Sequence, residues 1–193
     1  MSLKSINPAT GEIINEYQKY SDNYVCSIID DVSNDFLIWK NISFDDRKNI
    51  LISIGEKLKS DIEIHSKMIS IEMGKPIMES RAEVLKCIWV IEYYAENAKK
   101  FLEKEIIKSN YAESYVQYDP LGIIFGVMPW NFPYWQVFRF IAPSLMAGNV
   151  CILKHASNVS GCALLIEKLV NNCSPYSNIF KTLLISSSQV ANV

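Results

Sequence analysis

Asn131, Arg139 and Lys154 are the residues whose types and spacing could do chemistry together. Asn131 lies in the turn Pro129-Trp130-Asn131-Phe132-Pro133, stiffened by a proline on each side. A side-chain amide N–H preorganised in such a turn can hold a developing oxyanion, worth about 3–4 kcal/mol where such a donor has been removed. The same amide can also simply hydrogen-bond its own turn. Lys154 follows the apolar run Val150–Leu153. Its ammonium can serve ribose hydroxyls or phosphate, or stand solvated like an ordinary lysine. Arg139 is the only charge between Tyr134 and Val150, eight residues past Asn131. It can clamp a carboxylate in the same crevice, or snorkel, or form a structural ion pair.

The elements that must position these residues read as one strand-helix-strand unit. Gly122–Met128 is a nearly continuous apolar run, the pattern of a strand buried on both faces of a parallel sheet. Pro133 suits a first helical turn, where a missing N–H costs nothing. Apolar residues recur at helical spacing from Tyr134 to Ala147, and Gly148-Asn149 supplies the stop. Val150–Leu153 is the next buried strand. Polar groups just past the carboxyl ends of parallel strands face the crevice in which α/β proteins bind ligands, and Asn131 and Lys154 both fall there.

Upstream, the first hundred residues are mostly helical. Asn7-Pro8-Ala9-Thr10-Gly11 is a turn before a short strand at Glu12–Tyr17. Asp22 or Asn23 caps a helix to about Trp39, Ser43 with Asp46 opens a second over Asp45–Lys59, and Asp61–Met73 is a third, closed by Gly74. A long helix runs from about Met78 to Leu102 with Val84, Leu85, Ile88, Val90 and Ile91 inside. Tyr111–Tyr118 alternates like an exposed strand or arm. Beyond Lys154, a helix from Ser160 to about Asn171 leads to a third buried strand, Phe180–Ile185, and Ser186–Val193 opens a further helix.

Composition narrows the partners. The chain of 193 residues is 49% hydrophobic and 21% charged, enough apolar material for a sizeable core. A formal net charge of −2 disfavours a nucleic-acid or anionic-membrane partner. No apolar run approaches the roughly 20 residues of a membrane span, and the N-terminus lacks the apolar stretch of a secretion signal. Five scattered cysteines without a C-x-x-C pair fit reduced thiols in a cytoplasmic protein, and two histidines without clustered ligands give no metal site. The G-x-G-x-x-G, G-x-x-x-x-G-K-[ST] and G-x-S-x-G patterns are all missing.

Asn7–Gly11, Glu72-Met73-Gly74-Lys75-Pro76, Pro129–Pro133, Ala147-Gly148-Asn149 and Leu153-Lys154 resemble, in order, the landmarks of the aldehyde dehydrogenase superfamily. The run Leu153-Lys154-His155-Ala156-Ser157-Asn158-Val159, with Arg139, is most similar to the bacterial succinate-semialdehyde dehydrogenase branch. The resemblance implies an α/β fold: a helical N-terminal part of the cofactor-binding domain over 1–110, an arm or oligomerisation strand over 111–120, and an incomplete parallel Rossmann-like sheet with helices on both faces over 121–193. It implies oxidation of a small-molecule aldehyde to the carboxylate, with NADP or NAD as cofactor, in a homo-oligomer. Carried over by position, Asn131 is the oxyanion donor and Arg139 grips the substrate carboxylate. Val127, Met128, Pro129 and Trp130 line the cofactor cleft, and Lys154 binds the adenosine ribose. Ser157 stands where NAD-preferring relatives often carry a glutamate, so NADP is the favoured cofactor; alternatively Ser157 only caps the turn before the next helix.

None of Cys26, Cys87, Cys151, Cys162 and Cys173 sits in a motif matching the family's nucleophile, and the family's general-base glutamate has no counterpart here. The expectation is therefore a fragment or first part of such an enzyme, inactive by itself. The alternative is a non-catalytic truncated homologue that acts as an interaction or structural module.

Overall fold

The computed structural model describes residues 2–193. Ser2–Ile6 (β1) pairs antiparallel with Ile13–Gln18 (β2) across a turn in which Gly11 takes a positive φ. β1 has no counterpart among the strands expected from sequence, because only Leu3 and Ser5 of its five residues are buried.

Four helices follow. Ser21, rather than Asp22 or Asn23, caps α1 (Asp22–Trp39), its hydroxyl accepting the Tyr24 N–H at 3.3 Å. Val25, Ile28, Val32 and Trp39 form its buried stripe, and the Trp39 indole N–H reaches the Leu145 carbonyl at 3.2 Å. Ser43 caps α2 (Phe44–Ser60) as its spacing from Asp46 predicts, accepting the Asp46 N–H and donating its hydroxyl to the Asp46 carboxylate. Gly74, at φ 80°, ends α3 (Ile62–Met73), a left-handed turn that suits glycine. The long helix α4 spans Ile77–Phe101 and buries Val84, Ile88, Val90 and Ile91. Leu85 is a correction: it is half exposed, because it lies off the stripe that packs on α2 and α3. Of the stretch Tyr111–Tyr118 only Tyr115–Val116 (β4) is strand, pairing antiparallel with Glu105–Ile106 (β3) in a small hairpin.

The parallel sheet has the order Ile123–Met128 (β5), Val150–His155 (β6), Phe180–Thr182 (β7). The crossovers are α5 (Trp135–Met146) and α6 (Ser160–Cys173), and α1 also packs against the three strands. All six residues of β6 are buried, which a strand achieves only with both faces covered. β5 corrects the expectation of a strand buried on both faces. It is an edge strand here, mostly half-buried, with Val127 exposed. Gly126 permits the close seat of α5, since a Cβ there would lie 2.7 Å from the Phe140 ring. β7 is shorter than Phe180–Ile185, although Leu183–Ile185 stay buried as the chain runs on past its pairing with β6. The further helix expected at the end of the chain is a 3-10 helix, Ser187–Asn192, opened by a capping box between Ser186 and Gln189. Among the described residues no helix is long and apolar enough to cross a membrane.

Candidate functional site

The turn that carries Asn131 leaves the carboxyl end of β5 and feeds α5, and it is fixed from several directions. Glu83 Oε1 accepts the Tyr134 N–H at 2.8 Å and the Trp135 N–H at 3.0 Å, satisfying two donors that a helix start leaves open. The other Glu83 oxygen forms a buried ion pair with Lys75. The Lys75 ammonium in turn lies 3.9 Å from the centre of the Phe132 ring. Tyr134 is fully buried, its hydroxyl sharing a 2.7 Å hydrogen bond with His65 Nδ1. Burial pushes the His65 pKa down to about 4, so this imidazole is neutral at pH 7.

His155, the last residue of β6, holds the turn from the sheet side. Its Nδ1 accepts the Ala156 N–H at 2.9 Å, which puts the ring proton on Nε2, and Nε2 donates to the Pro133 carbonyl at 2.9 Å. Burial lowers its pKa and keeps this tautomer uncharged. The Ala156 N–H also reaches the Met128 carbonyl at 3.0 Å, tying the ends of β5 and β6 together.

Within this frame Asn131 is exposed, and among the described residues its amide makes no hydrogen bond to its own turn. It lines a cavity of about 560 Å³ together with Lys75, Glu83, Lys86, Trp135 and Gln136. The Lys86 ammonium lies 4.1 Å from the centre of the Trp135 ring. Trp130 turns to the other side, where it lines a second hollow of about 420 Å³ with Glu72, Met73 and Asn158. The turn thus separates two hollows, with Asn131 on one and Trp130 on the other.

Arg139 is exposed and is not brought to the wall of the Asn131 cavity. It stands one helical turn beyond Trp135 and Gln136 on the same face of α5, since residues three and four apart share a face. Among the described residues no carboxylate pairs with it, so the structural ion pair has no support.

Lys154 is a register partner of Val127, which sets the two residues side by side on one face of the sheet, while Met128 partners His155 on the opposite face. Pro129 is exposed at the strand end. Lys154 is 6% exposed, and burial alone lowers its pKa, without a compensating anion. A nearly buried, uncompensated ammonium at the end of the central strand suits the hydroxyls and phosphates of a dinucleotide. Ser157 is exposed in the 3-10 turn Ser157–Val159, and its side chain caps neither that turn nor α6. Glu72 does that for α6, accepting the Gly161 N–H at 2.9 Å and the Cys162 N–H at 2.8 Å.

Lys75, Glu83, His65 and His155 carry no assigned role in the sequence reading. The signal for Glu83 was present: a carboxylate on the Ser80-Glu83-Cys87-Ile91 stripe of an otherwise apolar helix face needs an internal partner. Cys87, Cys151 and Cys162 are buried and burial raises each thiol, Cys151 to about 12. Cys173 is raised for the same reason.

A three-stranded parallel sheet with a crevice past its strand ends, preceded by a helical layer that locks the crevice turn, defines an α/β protein of the open-sheet class. The chain belongs to the aldehyde dehydrogenase family, which it matches over residues 1–193. It is 40% identical over 185 residues to a probable NADP(+) succinate-semialdehyde dehydrogenase of Synechocystis, covering 96% of this chain and 41% of that protein. It is also 40% identical over 193 residues to succinate-semialdehyde dehydrogenase [NADP(+)] 1 of Mycobacterium tuberculosis, covering 98% and 42%. Succinic semialdehyde dehydrogenase from Streptococcus pyogenes, solved with NADP+, superposes with a TM-score of 0.94 at 28% identity, covering 98% of this chain and 42% of that one. The chain therefore spans about two fifths of the length of the relatives it matches.

Proposed function

We propose that these residues form the N-terminal, cofactor-cleft portion of an NAD(P)-dependent aldehyde dehydrogenase, with succinate semialdehyde as the aldehyde and NADP as the favoured cofactor. The observation that carries the reading is the unbonded Asn131 amide at a cavity wall, in a turn fixed by Glu83, Lys75 and His155. A donor held this way needs no reorganisation when an aldehyde oxygen gains negative charge under nucleophilic attack. Arg139, one helical turn farther along, supplies a free guanidinium for a distal carboxylate. Lys154 and Ser157 hold the ribose and its 2′-phosphate, and Val127, Met128, Pro129 and Trp130 line the cofactor's path. A bound nicotinamide dinucleotide supplies the hydride acceptor. The NADP(+) in the names of the relatives supports the cofactor, and their substrate supports the carboxylate clamp.

The complete enzyme carrying these residues tests the reading through Arg139→Ala. A charge-assisted hydrogen bond of about 1.5–3 kcal/mol predicts a rise in KM for succinate semialdehyde of about tenfold to hundredfold, with little change for butanal. Equal losses on both aldehydes would remove the clamp, and no oxidation of either aldehyde by the parent would remove the activity. A second reading, a non-catalytic module that docks on full-length subunits as a homo-oligomer partner, draws on the exposed Leu85, Trp89, Tyr93 and Phe101 of α4. An inactive complete protein that coelutes with an active relative would favour it.

A further inference from the structure

We propose that Glu83 and Lys75 are positioning residues for the Asn131 amide, acting through the turn they clamp and not on the substrate; this rests on the oxyanion role given to Asn131 above. Both side chains line the Asn131 cavity, but their charged atoms are occupied. Glu83 Oε1 takes the Tyr134 and Trp135 N–H groups, and its other oxygen takes the Lys75 ammonium. Three of the carboxylate's four lone-pair sites are thereby held by the turn and by Lys75, as suits a clamp.

Stability alone is a poor reason for such a pair. A buried lysine and glutamate gain little over well-packed apolar side chains of the same volume, because both charges must be desolvated. What the pair provides is geometry. Glu83 fixes the backbone at residues 134 and 135, and Lys75, neutralising Glu83, lies on the ring of Phe132. Asn131 is joined directly to Phe132, and Pro133 closes the short segment between the two clamps. Residues 75 and 83 come from the α3–α4 junction and the first turns of α4, so the register of the turn is set by an element outside the sheet. A shift of this clamp carries the Asn131 amide with it, and displacement by about 1 Å at a reacting centre costs about a hundredfold in rate.

A double-mutant cycle in the complete enzyme tests this. Glu83→Gln keeps the side-chain shape and an acceptor oxygen but breaks the ion pair, and Lys75→Met removes it from the other side. Each is expected to lower kcat for aldehyde oxidation by about tenfold to hundredfold, with the aldehyde KM changed less than about twofold. In an Asn131→Ala background the same changes should lower kcat by less than about twofold, because the group they position is gone. A merely structural pair would lower the melting temperature and leave kcat per folded enzyme untouched, which overturns the proposal. A full additional loss of kcat in the Asn131→Ala background also overturns it, and leaves the role of Asn131 standing. An Asn131→Ala enzyme with undiminished kcat removes that role and this inference with it. Where Glu83→Gln does not fold, Lys75→Met carries the same cycle.

Discussion

Glu72 Oε1 accepts the Gly161 N–H at 2.9 Å, and a Cβ added to Gly161 would stand 2.7 Å from that same oxygen. The carboxylate has little freedom to withdraw, because Ser5 Oγ donates to it at 2.6 Å and the Cys162 N–H at 2.8 Å. Glu72 thereby joins β1, α3 and the start of α6, and glycine is the residue that lets α6 come so near. Gly161→Ala would ordinarily favour a helix by up to about 1 kcal/mol. Here the forced displacement costs about 1–3 kcal/mol, so a net loss of stability is expected. A fall in the urea midpoint of Gly161→Ala relative to the parent checks this; a rise would show that Glu72 gives way freely.

Acid should weaken the helical layer through His65. Its folded pKa of about 4 lies below the ordinary value of 6.5, so the folded chain resists a proton that the unfolded chain accepts. The associated stability is present in full above pH 6.5 and is lost as pH falls toward 4, amounting to about 3 kcal/mol. His155, also lowered by burial, adds loss in the same direction. Urea midpoints at pH 7, 5.5 and 4 should fall steadily, and His65→Gln should flatten that fall. Midpoints unchanged across this range would contradict the burial of an uncharged His65.

What could be read from sequence was local, and what was missed was long-range. Ser43 and Gly74 work within one turn of their own helices, and each stands where its residue type predicts. The Asn131 turn is equally visible, because two prolines fix a five-residue segment at the end of an apolar run. Glu83 meets its N–H partners 51 and 52 residues away, and Glu72 meets Gly161 across 89. No periodicity encodes such pairings; they exist only once α4 and α6 have been packed. The expected burial of β5 on both faces failed for a related reason. An apolar run reports that a strand can be buried, but the coverage of its outer edge depends on what lies beside it.

The thiols offer a test that does not need turnover. Cys87, Cys151 and Cys162 are buried with raised pKa values, and Cys26 is exposed. Iodoacetamide at pH 7.5 should therefore label Cys26 first and Cys173 more slowly, with the other three reacting only in denaturant. The same arrangement predicts that these 193 residues alone give no aldehyde-dependent reduction of NAD or NADP above a protein-free control. Rapid native labelling of Cys151 or Cys162, or measurable turnover, would refute the assignment of these thiols as inert.

The proposed preference for NADP can be tested in the space just past β6. Lys154 presents an uncompensated ammonium on the face it shares with Val127, and Ser157 follows three residues later with a hydroxyl that caps no helix. A neutral hydroxyl tolerates and can hydrogen-bond a 2′-phosphate, whereas a carboxylate at the same place would repel it. In a solvent-screened position two anions near 4 Å cost about 1–2 kcal/mol, which corresponds to about a tenfold change in kcat/KM. The complete enzyme should thus favour NADP over NAD, and Ser157→Glu should lower kcat/KM for NADP about tenfold while sparing NAD or improving it through the ribose hydroxyls. Lys154→Met should weaken NADP more than NAD if the ammonium serves the phosphate as well as the ribose. Cofactor titrations at fixed aldehyde concentration in the three proteins decide the matter. A parent that prefers NAD, or a Ser157→Glu enzyme with an unchanged cofactor ratio, would move the discriminating contact away from Ser157.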